Sequence, residues 1–306
     1  MFSPLYQNCQ LCPRRCGVDR TVGQRGFCGA GDTPFAGRAA LHFWEEPCLS
    51  GSRGSGTVFF SHCTLGCLFC QNHALSRDGA GIPLSPAPLA QAYLSLQEQG
   101  AHNINLVTPS HYLPDVIESL RLAKADGLTL PIVYNCGGYE ALDTLKQLNG
   151  LIDIYLPDLK YFSSYLGEQY SAAEDYFDVA CLAIEEMIRQ TGPCQFDADG
   201  ILQKGVIVRH LMLPGQLSDT FSLIRYFAAH WKDAAYFSLM SQYTPLGKFP
   251  THPELEGKLE PKDYAQAVDY LAFCGVENGY LQGGEAAKES FIPDFNGEGL
   301  SNFSEI

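Results

Sequence analysis

The chain has 306 residues, 46% hydrophobic and 18% charged, with 34 acidic against 20 basic side chains and a formal charge of −14. That composition fits a globular protein of one large domain, or one domain plus a small module. It excludes a sequence-independent nucleic-acid binder, whose affinity comes from Lys and Arg neutralising phosphates.

No window approaches the roughly 20 apolar residues of a membrane span, and no basic start leads into an apolar run. The cytoplasm is therefore the expected compartment. In that reducing setting the 12 cysteines point to metal or redox chemistry rather than disulfides.

Residues 1 to 56 are rich in Cys, Gly and Arg and show little periodicity. A short segment without a core of its own needs a metal or a neighbouring surface to become ordered, so these residues are expected to form a small loop-dominated module. It carries Cys9, Cys12, Cys16 and Cys28 in CQLCPRRCGVDRTVGQRGFC. Four thiolates make a complete coordination sphere for zinc or for a second 4Fe-4S cluster.

From residue 57 the pattern changes. Short β-rich runs (57–60, 104–108, 131–135, 152–157, 206–213 and 235–240) alternate with stretches of helical spacing at 87–99, 113–125, 139–148, 172–190 and 218–231. Each parallel connection needs a crossover long enough to hold a helix. Six strands in this arrangement predict an α/β fold, a partial (β/α)6 TIM-like barrel over residues 57–260. The loops at the C-terminal ends of its strands would build the site. Residues 261–306 are predicted as a short extension: a helix over 263–274, a possible strand VENGYLQ, then a tail.

The first barrel strand leads directly into HCTLGCLFCQN, where Cys63, Cys67 and Cys70 form a C-x3-C-x2-C set. A 4Fe-4S cluster held by only three thiolates leaves one iron free to bind something else. At these residues the sequence resembles the radical S-adenosylmethionine superfamily. The resemblance runs from about residue 57 to 245 and implies that the free iron chelates S-adenosylmethionine. Reductive cleavage there would yield methionine and a 5'-deoxyadenosyl radical that abstracts hydrogen. A reductant such as flavodoxin or ferredoxin is the implied partner. NINLVTPSHY, VYNCGGYE, IYLPDLKY, VRHLMLPG, SLMSQYTPLG and AAKESFIP together resemble the pyruvate formate-lyase activating enzyme-like family.

That closer resemblance implies roles for further residues. Asp158 and Lys160 match the Asp-x-Lys pair of glycyl-radical activating enzymes, and their opposite charges suit the methionine zwitterion. Asn135, followed by Gly137 and Gly138, matches a Thr-Asn-Gly position. The Gly-Gly-Glu of those enzymes is replaced here by Val107, Thr108, Pro109, Ser110 and His111, so Thr108 and backbone carbonyls are expected to take over the amino-group contact. His111 is a catalytic candidate.

Arg209 and His210 alternate on the fifth strand, so one faces the barrel interior and the other the helices. Arg209 is a further site candidate, and Gln242 and Tyr243 are placed to bound the adenosine or substrate side. Cys48, Cys136, Cys181, Cys194 and Cys274 are expected to be inert. The activity these readings imply is hydrogen abstraction, from a glycine of a partner enzyme or from a small metabolite or other macromolecule. An iron-sulfur carrier or adaptor that never cleaves S-adenosylmethionine is the rival class, and no HExxH set supports a zinc hydrolase.

Overall fold

The residues that the sequence pattern leaves outside the alternation supply the first strand. In the computed structural model, which describes residues 4–282, 293–301 and 303, β1 (Phe35–His42) runs antiparallel beside β2 (Ser55–Phe60), with α1 (Pro47–Ser50) between them. After the cysteine loop come α2 (His73–Ser76) and β3 (Ile82–Pro83), which pairs with the far side of β1. The chain then alternates through α3 (Pro86–Glu98), β4 (Ile104–Val107), α4 (Leu113–Ala125), β5 (Ile132–Cys136), α5 (Leu142–Gln147) and β6 (Ile154–Pro157). It continues through α6 (Ser164–Ser171), α7 (Tyr176–Thr191), β7 (Gln195–Phe196), β8 (Leu202–Leu211), α8 (Leu217–His230), β9 (Tyr236–Met240), α9 (Pro261–Phe273) and β10 (Gly279–Gln282).

The fold is mixed α/β around one mostly parallel sheet, in the order β10-β9-β8-β6-β5-β4-β2-β1-β3. The pairs from β2 through β10 along this path are parallel. β2, β5 and β6 are buried at every residue, as strands covered on both faces must be. α4 shows how the helices cover them: Val116, Leu120 and Ala123 are buried along one face. Asp115 in its first turn and Lys124 in its last suit the helix dipole.

Two boundaries differ from the sequence reading. The helical stretch 172–190 is preceded by a separate helix, α6, and the chain turns between α6 and α7 at Ala172, which adopts a left-handed φ of 49°. β8 starts at Leu202, four residues before the apolar run, because β7 pairs antiparallel with its first half. The predicted C-terminal helix and strand are α9 and β10. The AAKESFIP segment lies, apart from Pro293, outside the described residues. Among those residues no helix is long and apolar enough to cross a membrane.

Candidate active site

A cleft of about 480 Å³ opens at the C-terminal ends of the parallel strands. Val107 of β4, Asn135 of β5, Asp158 just past β6, Arg209 of β8, Met240 of β9 and Gln242 form one wall, and Cys67, Cys70 and Phe69 of the cysteine loop form another. His42 at the end of β1 and the Phe43, Trp44 and Glu45 that follow it also line the cleft.

Arg209 organises the polar wall. Its Nε donates to Asp158 Oδ1 at 3.2 Å, one terminal nitrogen pairs with Glu45 Oε2 at 3.1 Å, and the other donates to Asn135 Oδ1 at 2.7 Å. Asn135 Nδ2 completes the ring by donating to Glu45 Oε1 at 3.4 Å. Lys160 Nζ contacts Asp158 Oδ2 at 2.5 Å. Burial works against the Asp158 charge, but Lys160 and Arg209 outweigh it and hold the carboxyl below its usual range. At Glu45 burial outweighs Arg209, so that carboxyl is pushed up, and burial does the same to the fully buried Glu46 next to it.

The cysteine loop is buttressed from below. Leu65 N–H points at Cys63 Sγ at 3.4 Å, Ser171 Oγ donates to Cys67 Sγ at 3.0 Å, and Ser76 Oγ to Cys70 Sγ at 3.4 Å. Phe69 packs edge-on against Tyr161, Tyr170 and Tyr243, which fixes the loop on the strand ends. Burial, with Cys67 and Cys70 beside it, pushes the Cys63 thiol up to about 12. Among the described residues no three His, Cys, Asp or Glu side chains converge on one point for a single metal ion.

The structure brings Asp158, Lys160, Asn135, Arg209 and Gln242 to the cleft with Cys67 and Cys70. Arg209 faces inward. His210 faces α8, where its ring meets Leu159 O at 2.8 Å and Thr220 Oγ1 at 2.9 Å. Gly138, at φ 79°, lets the chain pass where an added Cβ would sit 2.2 Å from Asp158 O. Thr108, one residue past Val107, holds a left-handed φ of 57° and donates its amide to Asn135 O at 2.8 Å.

Four candidates, Cys63, Thr108, His111 and Tyr243, do not line the cleft. His111 is buried behind the loop, with Nε2 at 2.7 Å from Ser61 O, and burial with Arg20 nearby lowers it to about 3. The Tyr243 hydroxyl donates to Leu255 O at 2.5 Å, and the ring packs on Phe69.

Sequence reasoning missed Glu45 and its neighbours. HFWEEP sits in the segment assigned to the N-terminal module, and its only signal was an acidic pair beside aromatic residues. The N-terminal cysteines themselves line no part of the cleft. Cys9 and Cys12 are buried, Cys28 is half-buried and Cys16 is exposed.

No protein-family model matches the chain. An uncharacterized protein of Methanocaldococcus jannaschii is 27% identical over 274 residues, 87% of this chain and 74% of that protein. SuiB of Streptococcus suis, solved bound to S-adenosylmethionine, superposes with a TM-score of 0.50 at 14% identity over 72% of this chain and 48% of SuiB. The chain thus spans about half the length of that structure. A radical S-adenosylmethionine methyltransferase of Sphaerobacter thermophilus gives a TM-score of 0.49 at 16% identity over 74% and 65% of the two chains. At such identity the likeness to SuiB is one of fold.

Proposed function

We propose that the chain is a radical S-adenosylmethionine enzyme on a partial (β/α)6 barrel, with a 4Fe-4S cluster on Cys63, Cys67 and Cys70. The observation that carries this reading is the shared cleft: two of the three thiols open onto the same space as Asp158, Lys160, Asn135 and Arg209. The donor set fits such a cluster, because each sulfur receives an N–H or O–H of the kind that supports a metal-bound sulfur. When bound, the cluster supplies one electron for reductive cleavage of S-adenosylmethionine.

The chain's own residues bind and orient. Asp158 suits an ammonium and Lys160 a carboxylate; they now satisfy each other at 2.5 Å, so a zwitterion would exchange one internal pair for two across the site. Arg209 keeps Asp158 ionised and fixes its direction. Phe59, Phe69 and Met240 supply apolar wall that excludes water from the reacting centre.

Hydrogen abstraction from a glycyl-radical enzyme partner is the substrate reading that the sequence resemblance favours. A small metabolite or another macromolecule is the second reading; Phe43, Trp44 and Glu45 would line the space it enters. The N-terminal cysteines are read as a second metal site, and a small one-electron carrier as the reductant.

The test is anaerobic. The chain is reconstituted with iron and sulfide, given S-adenosylmethionine and a strong reductant, and 5'-deoxyadenosine is quantified against Cys63→Ala. Product in the wild type that is lost in the variant supports the reading. No product from a demonstrably reduced cluster transfers it to an electron carrier or adaptor.

A further inference from the structure

Charge is divided unevenly over the chain. Residues 1–30 carry four arginines and one aspartate, whereas the whole chain has a formal charge of −14. That aspartate, Asp19, caps the Arg20–Val22 turn, and Arg20 is buried. The other three arginines gather with Arg77 near one exposed ring. The guanidinium carbons of Arg14 and Arg77 lie 3.9 and 5.1 Å from the centre of Phe27, which is 40% exposed. Arg25, two residues before Phe27, is exposed, and so is Arg15. Cys16 packs on Gly26, where an added Cβ would meet its sulfur at 2.5 Å, so the turn carrying Arg15 lies against the one carrying Phe27. Among the described residues none of these four arginines is paired with a carboxylate. Like charges gathered this way repel, and an acidic group from outside relieves them.

The patch grips the cysteine loop without entering the cleft. Arg14 Nε donates to Thr64 O at 3.1 Å, and Arg77 donates to Gly66 O at 2.7 Å. Both carbonyls belong to the stretch between Cys63 and Cys67. At Gly66, φ 67°, an added Cβ would run into the Arg77 guanidinium. Leu68, 43% exposed, continues the surface; its amide bonds Tyr170 O, next to the Ser171 carbonyl that Arg14 holds. None of Arg14, Phe27, Gly66, Leu68 and Arg77 lines the cleft. A protein seated here leaves the cleft open while touching the loop that presents Cys67 and Cys70 to it.

The chemistry selects the kind of partner. Nε and both terminal nitrogens of Arg14 are already committed to carbonyls. It therefore offers charge, not the free two-pronged donor that a phosphate takes. A nucleic acid, whose charge extends well past the patch, meets the repulsion of a chain at −14. A compact acidic protein matches both the charge and the exposed Phe27 and Leu68, since arginine and aromatic side chains are enriched at protein interfaces.

We propose that Arg14, Arg15, Arg25, Arg77 and Phe27 form the docking surface for an acidic one-electron carrier protein. The carrier is oxidised by one electron as the cluster on Cys63, Cys67 and Cys70 is reduced by one. This rests on the cluster reading proposed above, whereas the docking itself does not require cleavage of S-adenosylmethionine.

The test uses the full chain, reconstituted anaerobically, with an acidic flavodoxin as the probe. Arg15→Glu with Arg25→Glu is compared with Arg121→Glu with Arg225→Glu, exposed positions on α4 and α8 that change the total charge equally. Calorimetry at low ionic strength should show flavodoxin binding the wild type and the α4/α8 variant alike. Binding to the Arg15/Arg25 variant should be weaker by about tenfold or more, and the difference should shrink as salt is added. Arg15→Gln with Arg25→Gln removes charge without reversing it and should fall between the two. The rate at which reduced flavodoxin bleaches the cluster, taken relative to the rate with dithionite, should drop in the same order. No binding to the wild type, equal affinity for the two reversed variants, or tighter binding of poly(U) RNA at the same arginines overturns the assignment. A cluster that dithionite cannot reduce, or the absence of 5'-deoxyadenosine, counts against the proposed activity, and the calorimetric comparison still decides the surface.

Discussion

The two cysteine loops use one residue type for opposite ends. The Cys63–Cys70 loop leaves β2, a strand buried at every residue, and sets Cys67 and Cys70 on an open cleft. The Cys9–Cys28 loop follows no strand and turns its thiols away from that cleft. Two arginines hold it in place. Arg20 is sunk among the thiols, and Arg14 donates to the carbonyls of Thr64, Leu65, Ser171 and Ala172 while stacking on Phe27 at 3.9 Å. Three ligands on a rigid sheet end, as proposed for Cys63, Cys67 and Cys70, would leave room for a reactant; four in a loop, as proposed for the N-terminal set, would close a site and give the loop its order. Which cysteines reach the cleft is decided by the element that presents them.

The comparison breaks most visibly at the cleft. Cys67→Ala should lower 5'-deoxyadenosine formation by about a thousandfold, roughly 4 kcal/mol, while circular dichroism stays that of the wild type, since the sheet does not depend on this thiol. A comparable loss of helix signal would show that the loop is structural after all. Arg209→Met comes next: it strands Glu45 and leaves Asp158 with Lys160 alone in a largely buried network, and breaking such a pair costs about 3–5 kcal/mol. Denaturant unfolding should show a lower midpoint at unchanged slope, and an unaltered midpoint would mean that water reaches these carboxylates freely. On the N-terminal side Arg14→Ala should cost about 1–3 kcal/mol, but locally. Amide exchange should rise across residues 7–30 and stay unchanged in β4 to β6, whereas uniform acceleration would mean that the module and the sheet unfold as one.

Much of this was readable in advance, and the reasons differ by region. The parallel strands were legible because strands covered on both faces must be apolar throughout, as VFF in β2 and IVY in β5 are. The three-cysteine loop, Asp158 and Lys160 were legible because spacing and strand-end position carry them. β1 was not: FAGRAALH has small residues and an arginine where a strand pattern needs β-branched or aromatic ones, and it is held by its pairing with β2 rather than by its own preference. Glu45 was hidden for the same reason, since its role depends on β1 delivering it over the cleft to meet Arg209 from the far side of the sheet. His111 shows the converse. Its sequence position promised the cleft, but the turn at Ser110–Tyr112 buries it against Ser61 and His62.

The smallest effect separates the two regions by pH. Glu140 is fully enclosed between them, accepting from Ser110 Oγ at 2.7 Å and Tyr134 OH at 3.1 Å, and it lies within electrostatic range of Cys12. Burial outweighs these hydrogen bonds and raises its carboxyl from 4.5 to about 7. Between those values the folded chain binds the proton more tightly than the unfolded one, so stability is fully present below about pH 4.5 and is lost as pH rises through about 7. The full shift corresponds to about 3 kcal/mol. Glu140→Gln keeps the shape and removes the titration, so its unfolding midpoint should vary less between pH 5 and 8 than the wild type's and lie above it at the alkaline end. The cleft should not follow, because Asp158 is held below its usual range and stays ionised across the window. If Asp158→Asn flattened the profile as much as Glu140→Gln did, the pH sensitivity would belong to the cleft and not to the layer beneath the N-terminal loop.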